Sequence, residues 1–325
     1  MKTYAAYYDD KVRGESSSGG FFSLLAGQFD VIYGAAMTED CYGTEIIRVE
    51  DHDIAPLRGS KYMQAKVGDS FQNAKKDLEE GKRVLFSGTG CQINGLCCFL
   101  GKKYDNLFCV DVICHGAPSP KLWRAYAAYQ ESKYGKLKRV NFRCKDRGEG
   151  GLFISKDEDP FMRMFLRDYC LRPACYKCHA KKNRQSDLTM GDFWGIEEVA
   201  PEMNDGEGTS LVITRTEKGQ KVFDELKKEL KWKEVSYEEG VRNNPSEYSS
   251  TKRPAVRNQF FEEMLRFPFE ELEKKYAEEM KISFGKRVIR KLMGFVKKCL
   301  FGSAEGKERS NADYGILYTF EGQDE

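Results

Sequence analysis

The chain has 325 residues, 40% hydrophobic and 32% charged, with 53 Lys and Arg against 51 Asp and Glu for a formal net charge of +2. That length holds one large or two ordinary domains, and the balanced charge provides no global field for nucleic acid. Eleven cysteines, an odd count in a long chain whose opening MKTYAAYYDD has no apolar signal segment, argue against a secreted disulfide framework and for cytoplasmic thiols, some of them metal ligands.

In chain order, Ser16 to Gly20 precede the apolar run Phe21 to Ala26, a pattern for a helix N-terminus whose backbone N–H groups are free for a cap or a phosphate. Strands are predicted over 31–36 and 44–49. Gly59-Ser60-Lys61 then offers an amide, a hydroxyl and an ammonium to one anion, without the spacing of a Walker loop. A charged helix follows over 70–81. The buried strand 83–87 next runs into Gly88-Thr89-Gly90-Cys91-Gln92, a glycine turn opening a helix. There the helix dipole favours a thiolate at Cys91.

A second strand, 107–113, ends in Cys114-His115-Gly116, and a helix runs from about Leu122 to 134. A strand over 138–143 and a Gly-rich loop over 145–151 come next. The sharpest local signal is Cys175-x-x-Cys178, preceded by Arg172-Pro173 and followed by His179. Such a pair fits zinc, iron–sulfur or redox-disulfide chemistry alike. Strands over 188–195 and 210–214, a helix over 216–231, and an extended arm with a helix near 258–276 follow. From 281 to 301, seven Lys or Arg and no acid alternate with apolar residues, a basic amphipathic helix whose charged face is either simply solvated or meets a membrane surface or a protein.

Cys91, Cys114, Cys175 and Cys178 sit at strand ends or in a turn, where four thiolates can gather on a 4Fe–4S cluster. Cys170 is the spare candidate. Cys41, Cys97, Cys98, Cys109, Cys144 and Cys299 read as small apolar residues.

The segments SSSGGFFSLL, LRGSKYMQ, VLFSGTGCQINGL, DVICHGAPSP, LRPACYKC and SDLTMGDFWGI, in this order, resemble the coenzyme F420 hydrogenase/dehydrogenase beta-subunit family, from about residue 4 to about 275. The resemblance implies an FAD and 4Fe–4S oxidoreductase. It would pass electrons between a ferredoxin-like carrier and a two-electron substrate, either coenzyme F420 or another reducible compound. Carried over residue by residue, it places the cluster on Cys91, Cys114, Cys175 and Cys178. Flavin contacts fall on Ser17, Ser18, Gly19, Gly20, Gly59, Ser60, Lys61, Tyr62, Gly88, Thr89 and Gln92.

Two departures stand out. Residues 1–15 lack the ferredoxin cysteines with which many members begin, so a separate ferredoxin or electron-donor subunit is expected. Gly90 stands where the family usually has proline. His115 either bonds a cluster sulfide or donates a proton, and Asp192 and Trp194 either line the flavin or shape a turn.

The expected fold is α/β (mixed α+β), a mixed sheet flanked by helices with a C-terminal helical arm. The expected divisions are a catalytic domain over 1–240, a helical extension over 241–302 and a disordered tail over 303–325. Two other readings remain at this stage: a closed structural zinc site on the same thiolates, and a non-catalytic electron-transfer or assembly subunit.

Overall fold

Eleven strands are described, and nine of them join one mixed sheet in the order β11-β1-β10-β9-β6-β5-β2-β3-β4. They are β1 (Lys2–Tyr7), β2 (Val31–Met37), β3 (Thr44–Val49), β4 (Ala65–Lys66), β5 (Val84–Thr89), β6 (Leu107–Val112), β9 (Leu188–Asp192), β10 (Ser210–Thr214) and β11 (Lys231–Val235). Two short strands, β7 (Val140–Asn141) and β8 (Leu152–Phe153), pair separately. The computed structural model describes residues 1–143, 152–154 and 159–277. The predicted loop at 145–151, the basic helix at 281–301, the tail from 303, Cys144 and Cys299 lie outside them.

The centre of the sheet follows from its composition. Val84, Leu85 and Phe86 of β5 are wholly buried, as are Val110 of β6 and Leu188 of β9. Continuous apolar runs of this kind suit parallel strands covered on both faces. β2, β5, β6 and β9 are parallel neighbours, and two antiparallel pairings through β10 return β1 to the same direction. The C-terminal ends of β1, β2, β5, β6 and β9 therefore share one edge of the sheet.

Helices α1 (Asp10–Gly14) and α2 (Phe21–Ala26) connect β1 to β2. α3 (Ser70–Glu79) and α4 (Gly90–Leu100) pack Ala74, Leu78, Ile93 and Leu96 against β2, β5 and β6. α5 (Pro120–Tyr134) and α6 (Pro160–Leu166) follow, then α7 (Ile196–Val199), α8 (Glu217–Leu226), α9 (Tyr237–Val241), α10 (Arg257–Met264) and α11 (Phe269–Leu272). The α2 face holds Phe21, Leu24, Leu25 and Phe223 over the sheet. A separate aromatic core, with Trp123, Tyr126, Phe161, Phe165, Phe260 and Phe269, unites α5, α6, α10 and α11.

The α/β class and the mixed sheet agree with the sequence reading, while several elements differ from it. β1 mixes the strand formers Thr3, Tyr4 and Tyr7 with two alanines and a lysine and shows no apolar–polar alternation, yet Tyr4, Ala5 and Ala6 are buried because β10 and β11 pair on either side. The predicted helix over 216–231 ends at Leu226, and Lys231 begins β11. Trp232 there meets Tyr4 and Phe223 edge-on, at 5.8 and 6.3 Å between centroids. The predicted strand over 138–143 is reduced to β7. The predicted helix near 258–276 is broken in two, because Pro268 has no N–H to continue α10 and instead caps α11.

Candidate functional site

The shared C-terminal edge opens on the α2 face. Val110 and Leu188 are fully buried there, but two residues further along the same strands Val112 is 37% exposed and Met190 is half-buried. Thr89, Val112 and Met190 form one row across β5, β6 and β9. An uncovered row on central strands is a cleft, at the edge where open α/β sheets receive ligands.

The described segments that carry the candidate ligands come together at this edge. Thr89 caps α4, its N–H donating to Gln92 Oε1 at 2.9 Å, and its hydroxyl lies 3.2 Å from Cys91 Sγ. Cys91 is exposed. Cys114 follows β6, and the chain then runs antiparallel to the stretch that leads into the Cys-x-x-Cys. Arg172 N–H donates to Ala117 O, and Ser119 N–H to Cys170 O, both at 2.9 Å. Ala117 N–H reaches Cys175 Sγ at 3.3 Å. Pro173 starts the 3-10 turn Pro173–Lys177, which sets Cys175 and Cys178 on one side of the bend. Ser250 Oγ accepts from Cys178 N–H at 2.9 Å.

Burial and the neighbouring thiols act together on Cys114 and Cys175. Burial pushes Cys114 up to about 12, and Cys175, Cys91 and Cys178 push it the same way. Cys175 is raised by burial first, then by Cys91 and Cys178, against the Ala117 amide. Among the described residues, no three His, Cys, Asp or Glu side chains converge on a single metal-ion position. Cys170 lies instead in the aromatic core, wholly buried, and burial raises its pKa. Cys41 and Cys109 are buried as expected, whereas Cys98 is exposed and Cys97 half-buried.

Three features around the thiols were not read from sequence. Lys181 Nζ donates to Cys114 O at 2.8 Å and to Ser246 O; burial lowers its pKa, against the pull of Cys114 and Cys178. His115 Nε2 lies 2.6 Å from Asp168 Oδ1, so that edge of the ring is engaged by a carboxylate. Behind the thiols, fully buried Asp111 accepts from Arg184, from Ser186 Oγ at 3.0 Å and from Thr189 Oγ1 at 2.5 Å. Arg184 continues to Glu247 Oε2 at 2.6 Å, and Glu247 also takes Arg215.

Gly90 is explained by this network. A Cβ at that position would stand 2.9 Å from Asp111 Oδ2 and 3.3 Å from both Ala180 and Arg184. Gly90→Ala is therefore expected to destabilise the chain by about 1–3 kcal/mol, since the carboxylate cannot move without breaking its buried bonds. The shift of the urea midpoint measures it, and an unchanged midpoint would refute the packing argument.

The candidate flavin segments meet as well. Ser60 N–H donates to Ser17 Oγ at 2.8 Å, joining the 15–20 loop to the 58–62 loop. Tyr62 packs on Phe165 at 5.5 Å, and Phe165 on His115 at 5.2 Å, which carries the contact through to the thiols. Gly19 has a packing reason of its own: a Cβ would lie 2.5 Å from Ala6 O. Ser18 Oγ donates to Thr209 O, and Gly20, with φ 77°, is the N-cap of the six-residue α2. Gly88 abuts the Gln92 side chain. Lys61 donates to Pro56 O and Arg58 O, both at 2.8 Å, and no carboxylate among the described residues pairs with it. Burial alone pushes its pKa down to about 7. Asp192 pairs with Arg143, whose guanidinium lies 5.0 Å from the Trp194 ring.

Residues 81–239 match the family described as the C terminus of the coenzyme F420 hydrogenase/dehydrogenase beta subunit. The fold is similar to that of a chain in the xenon-derivatised F420-reducing NiFe hydrogenase complex from Methanosarcina barkeri. The TM-score is 0.50 and the identity 15%, over 72% of this chain and 81% of that one. At that identity the likeness is one of fold. No curated protein sequence gives a significant match. No helix among the described residues is long and apolar enough to cross a membrane.

Proposed function

We propose that this coenzyme F420 hydrogenase beta-subunit-like chain, a member of that family over residues 81–239, is a cytoplasmic oxidoreductase that passes electrons between a one-electron carrier and a two-electron compound. A 4Fe–4S cluster on Cys91, Cys114, Cys175 and Cys178 and an FAD in the adjoining cleft carry the electrons. Coenzyme F420 or another reducible compound is the two-electron partner.

The observation that supports this best is the gathering of four thiols from two strand ends and one turn, beside an uncovered row of a buried sheet. A zinc ion with bonds of about 2.3 Å would draw its sulfurs to about 3.8 Å from one another. A 4Fe–4S cluster takes one thiolate per iron and so accepts four thiols brought from separate elements. When bound, the cluster exchanges single electrons and the flavin takes up pairs.

The chain's own residues have separate tasks. Ala117 N–H bonds Cys175 Sγ, and Lys181 holds the Cys114 carbonyl, so both favour negative charge on sulfur. Ser17 to Gly20 and Gly59 to Tyr62, joined by the bond from Ser60 N–H to Ser17 Oγ, would contact the flavin from two loops, and Gly88, Thr89 and Gln92 from the turn that opens α4. Lys61 supplies the cation for a phosphate or for a reduced, anionic flavin ring.

The test is anaerobic purification followed by an absorption spectrum and analysis of iron, sulfide, zinc and released flavin. About four irons and one FAD per chain are expected; stoichiometric zinc without flavin would overturn the reading.

Lys61 makes the flavin reading sensitive to pH. The free chain carries the ammonium only below about pH 7. Above that, binding an anionic cofactor must take up a proton, so affinity is expected to fall by up to about tenfold per pH unit. Lys61→Met should bind more weakly and lose this slope. Quenching of flavin fluorescence in titrations across roughly pH 6–9 reads both; a slope that survives the substitution would remove Lys61 from the site.

A further inference from the structure

Residues 170–186 contain Arg172, Lys177, Lys181, Lys182 and Arg184 and no acid, in a chain whose net charge is only +2. The structure sorts the charges around the thiols by depth. The nearby acids face inward: Asp111 and Glu247 are buried in the arginine network. Asp187 is buried, accepting from Thr216 Oγ1 at 2.8 Å and Cys109 N–H at 2.9 Å, and Asp168 holds His115. Lys181 and Arg184 turn inward with them, while five cations face outward: Arg172, Lys177, Lys182, Lys252 and Arg253 are all exposed.

These cations surround the thiols. Lys177 lies inside the Cys-x-x-Cys, and Lys182 ends the 3-10 turn that follows it. Lys252 and Arg253 follow Ser250, which binds the Cys178 amide. Asn94, one turn along α4 from exposed Cys91, bonds Asn183 O at 2.7 Å and brings that cysteine to the same surface. The surface therefore concentrates positive charge around an exposed thiol.

We infer that this cationic rim is the docking surface for a small acidic iron–sulfur protein of ferredoxin type, which exchanges electrons through the Cys91 side. The inference rests on the cofactor reading above. In each encounter the carrier is oxidised by one electron and the chain's cluster is reduced by one, or the reverse; no bond forms or breaks, and two encounters supply the pair of electrons the two-electron compound needs. Charge complementarity argues for this occupant. Exposed cations in a confined patch steer an anionic partner and raise its association rate by roughly 10 to 1,000-fold at low salt, while adding little to binding at high salt.

The test measures binding of a bacterial two-cluster ferredoxin to the full-length holoprotein by biolayer interferometry at increasing NaCl, with stopped-flow reduction alongside. For the unaltered chain, Kd should weaken roughly tenfold or more between low salt and about 0.3 M. A double charge reversal, Lys177→Glu with Lys182→Glu, should raise the low-salt Kd at least about tenfold and flatten the salt dependence. The neutral pair Lys177→Gln with Lys182→Gln should fall between. The measured iron and flavin contents and the absorption spectrum should stay unchanged in all three, which separates docking from damage to the site. A reversal variant whose Kd stays within twofold of the parent, or a parent that does not bind ferredoxin, overturns the inference. If ferredoxin binds at the rim but the chain holds no iron and no flavin, the docking surface stands and the proposed function fails. If both cofactors are present and reversal has no effect, the function stands and the docking surface fails.

Discussion

Replacing Cys175 with alanine is expected to strip the chain of iron. Cys175 is the thiol most tightly bound into its surroundings: its own N–H is fixed by Arg172 O at 2.9 Å, and its sulfur receives the Ala117 amide. Removing one of four thiolates leaves an iron without its protein ligand and a cluster open to solvent. Iron per chain should fall by more than about half and the brown absorbance should disappear, with the flavin band diminished less. Cys170→Ala is the matched control. That sulfur is wholly buried among the aromatic residues of α5, α6 and α10, so its loss should cost about 1–2 kcal/mol of stability and leave the iron in place. Iron retained in the Cys175 variant, or lost from a folded Cys170 variant, would contradict the ligand assignment. Metal content, the absorption spectrum and urea unfolding on the same preparations distinguish these results.

Glu247→Ala should have the largest effect on stability. The carboxylate is 2% exposed and takes Arg184 at 2.6 Å, Arg215, and the Tyr237 hydroxyl at 3.3 Å. Two acids and two arginines balance here, with Asp111 at the other end. Deleting Glu247 leaves a buried guanidinium short of its counter-charge, a change that typically costs about 3–5 kcal/mol. That is a large share of the roughly 5–15 kcal/mol that holds a domain folded. Glu247→Gln keeps the shape and part of the hydrogen bonding and should cost less. The site should register the loss too, because Ser246 O anchors Lys181 and Ser250 Oγ anchors Cys178 on either side of Glu247. Urea unfolding read by far-UV circular dichroism gives the first number and iron content the second. An alanine variant as stable as the parent would show that the network is not part of what holds 245–250 to the sheet.

The segments that carry the candidate chemistry were legible because their signals are local. Val84 to Phe86 and Leu107 to Val110 are continuous apolar runs, and each strand leads within a few residues into a glycine turn or a cysteine. Cys175 and Cys178 are two residues apart, a spacing that a single turn enforces. β1, β11 and α6 escaped the same reading. Ala5 and Ala6 have little strand propensity of their own and are held by neighbours on both sides; Trp232 lies in a charged stretch and packs against Tyr4 and Phe223. His115 was read as a partner of the cluster, and its Asp168 partner, 53 residues away, gave no signal.

The sequence by itself determined the mixed α/β class, the glycine turn at Cys91 and the pairing of Cys175 with Cys178, since each depends on residues within one element or one turn. Only the tertiary structure decided that Asp111, Arg184, Glu247 and Arg215 share one buried network, across separations of 73, 63 and 32 residues. It also decided that a Cβ at Gly90 would crowd the Asp111 carboxylate, and that the acids near the thiols turn inward with Arg184 while Arg172, Lys177 and Lys182 face out. A charge carries no mark of its partner or its depth in the chain order. Which ions are buried depends on desolvation, and a charge accepts burial only where folding brings an opposite charge to meet it.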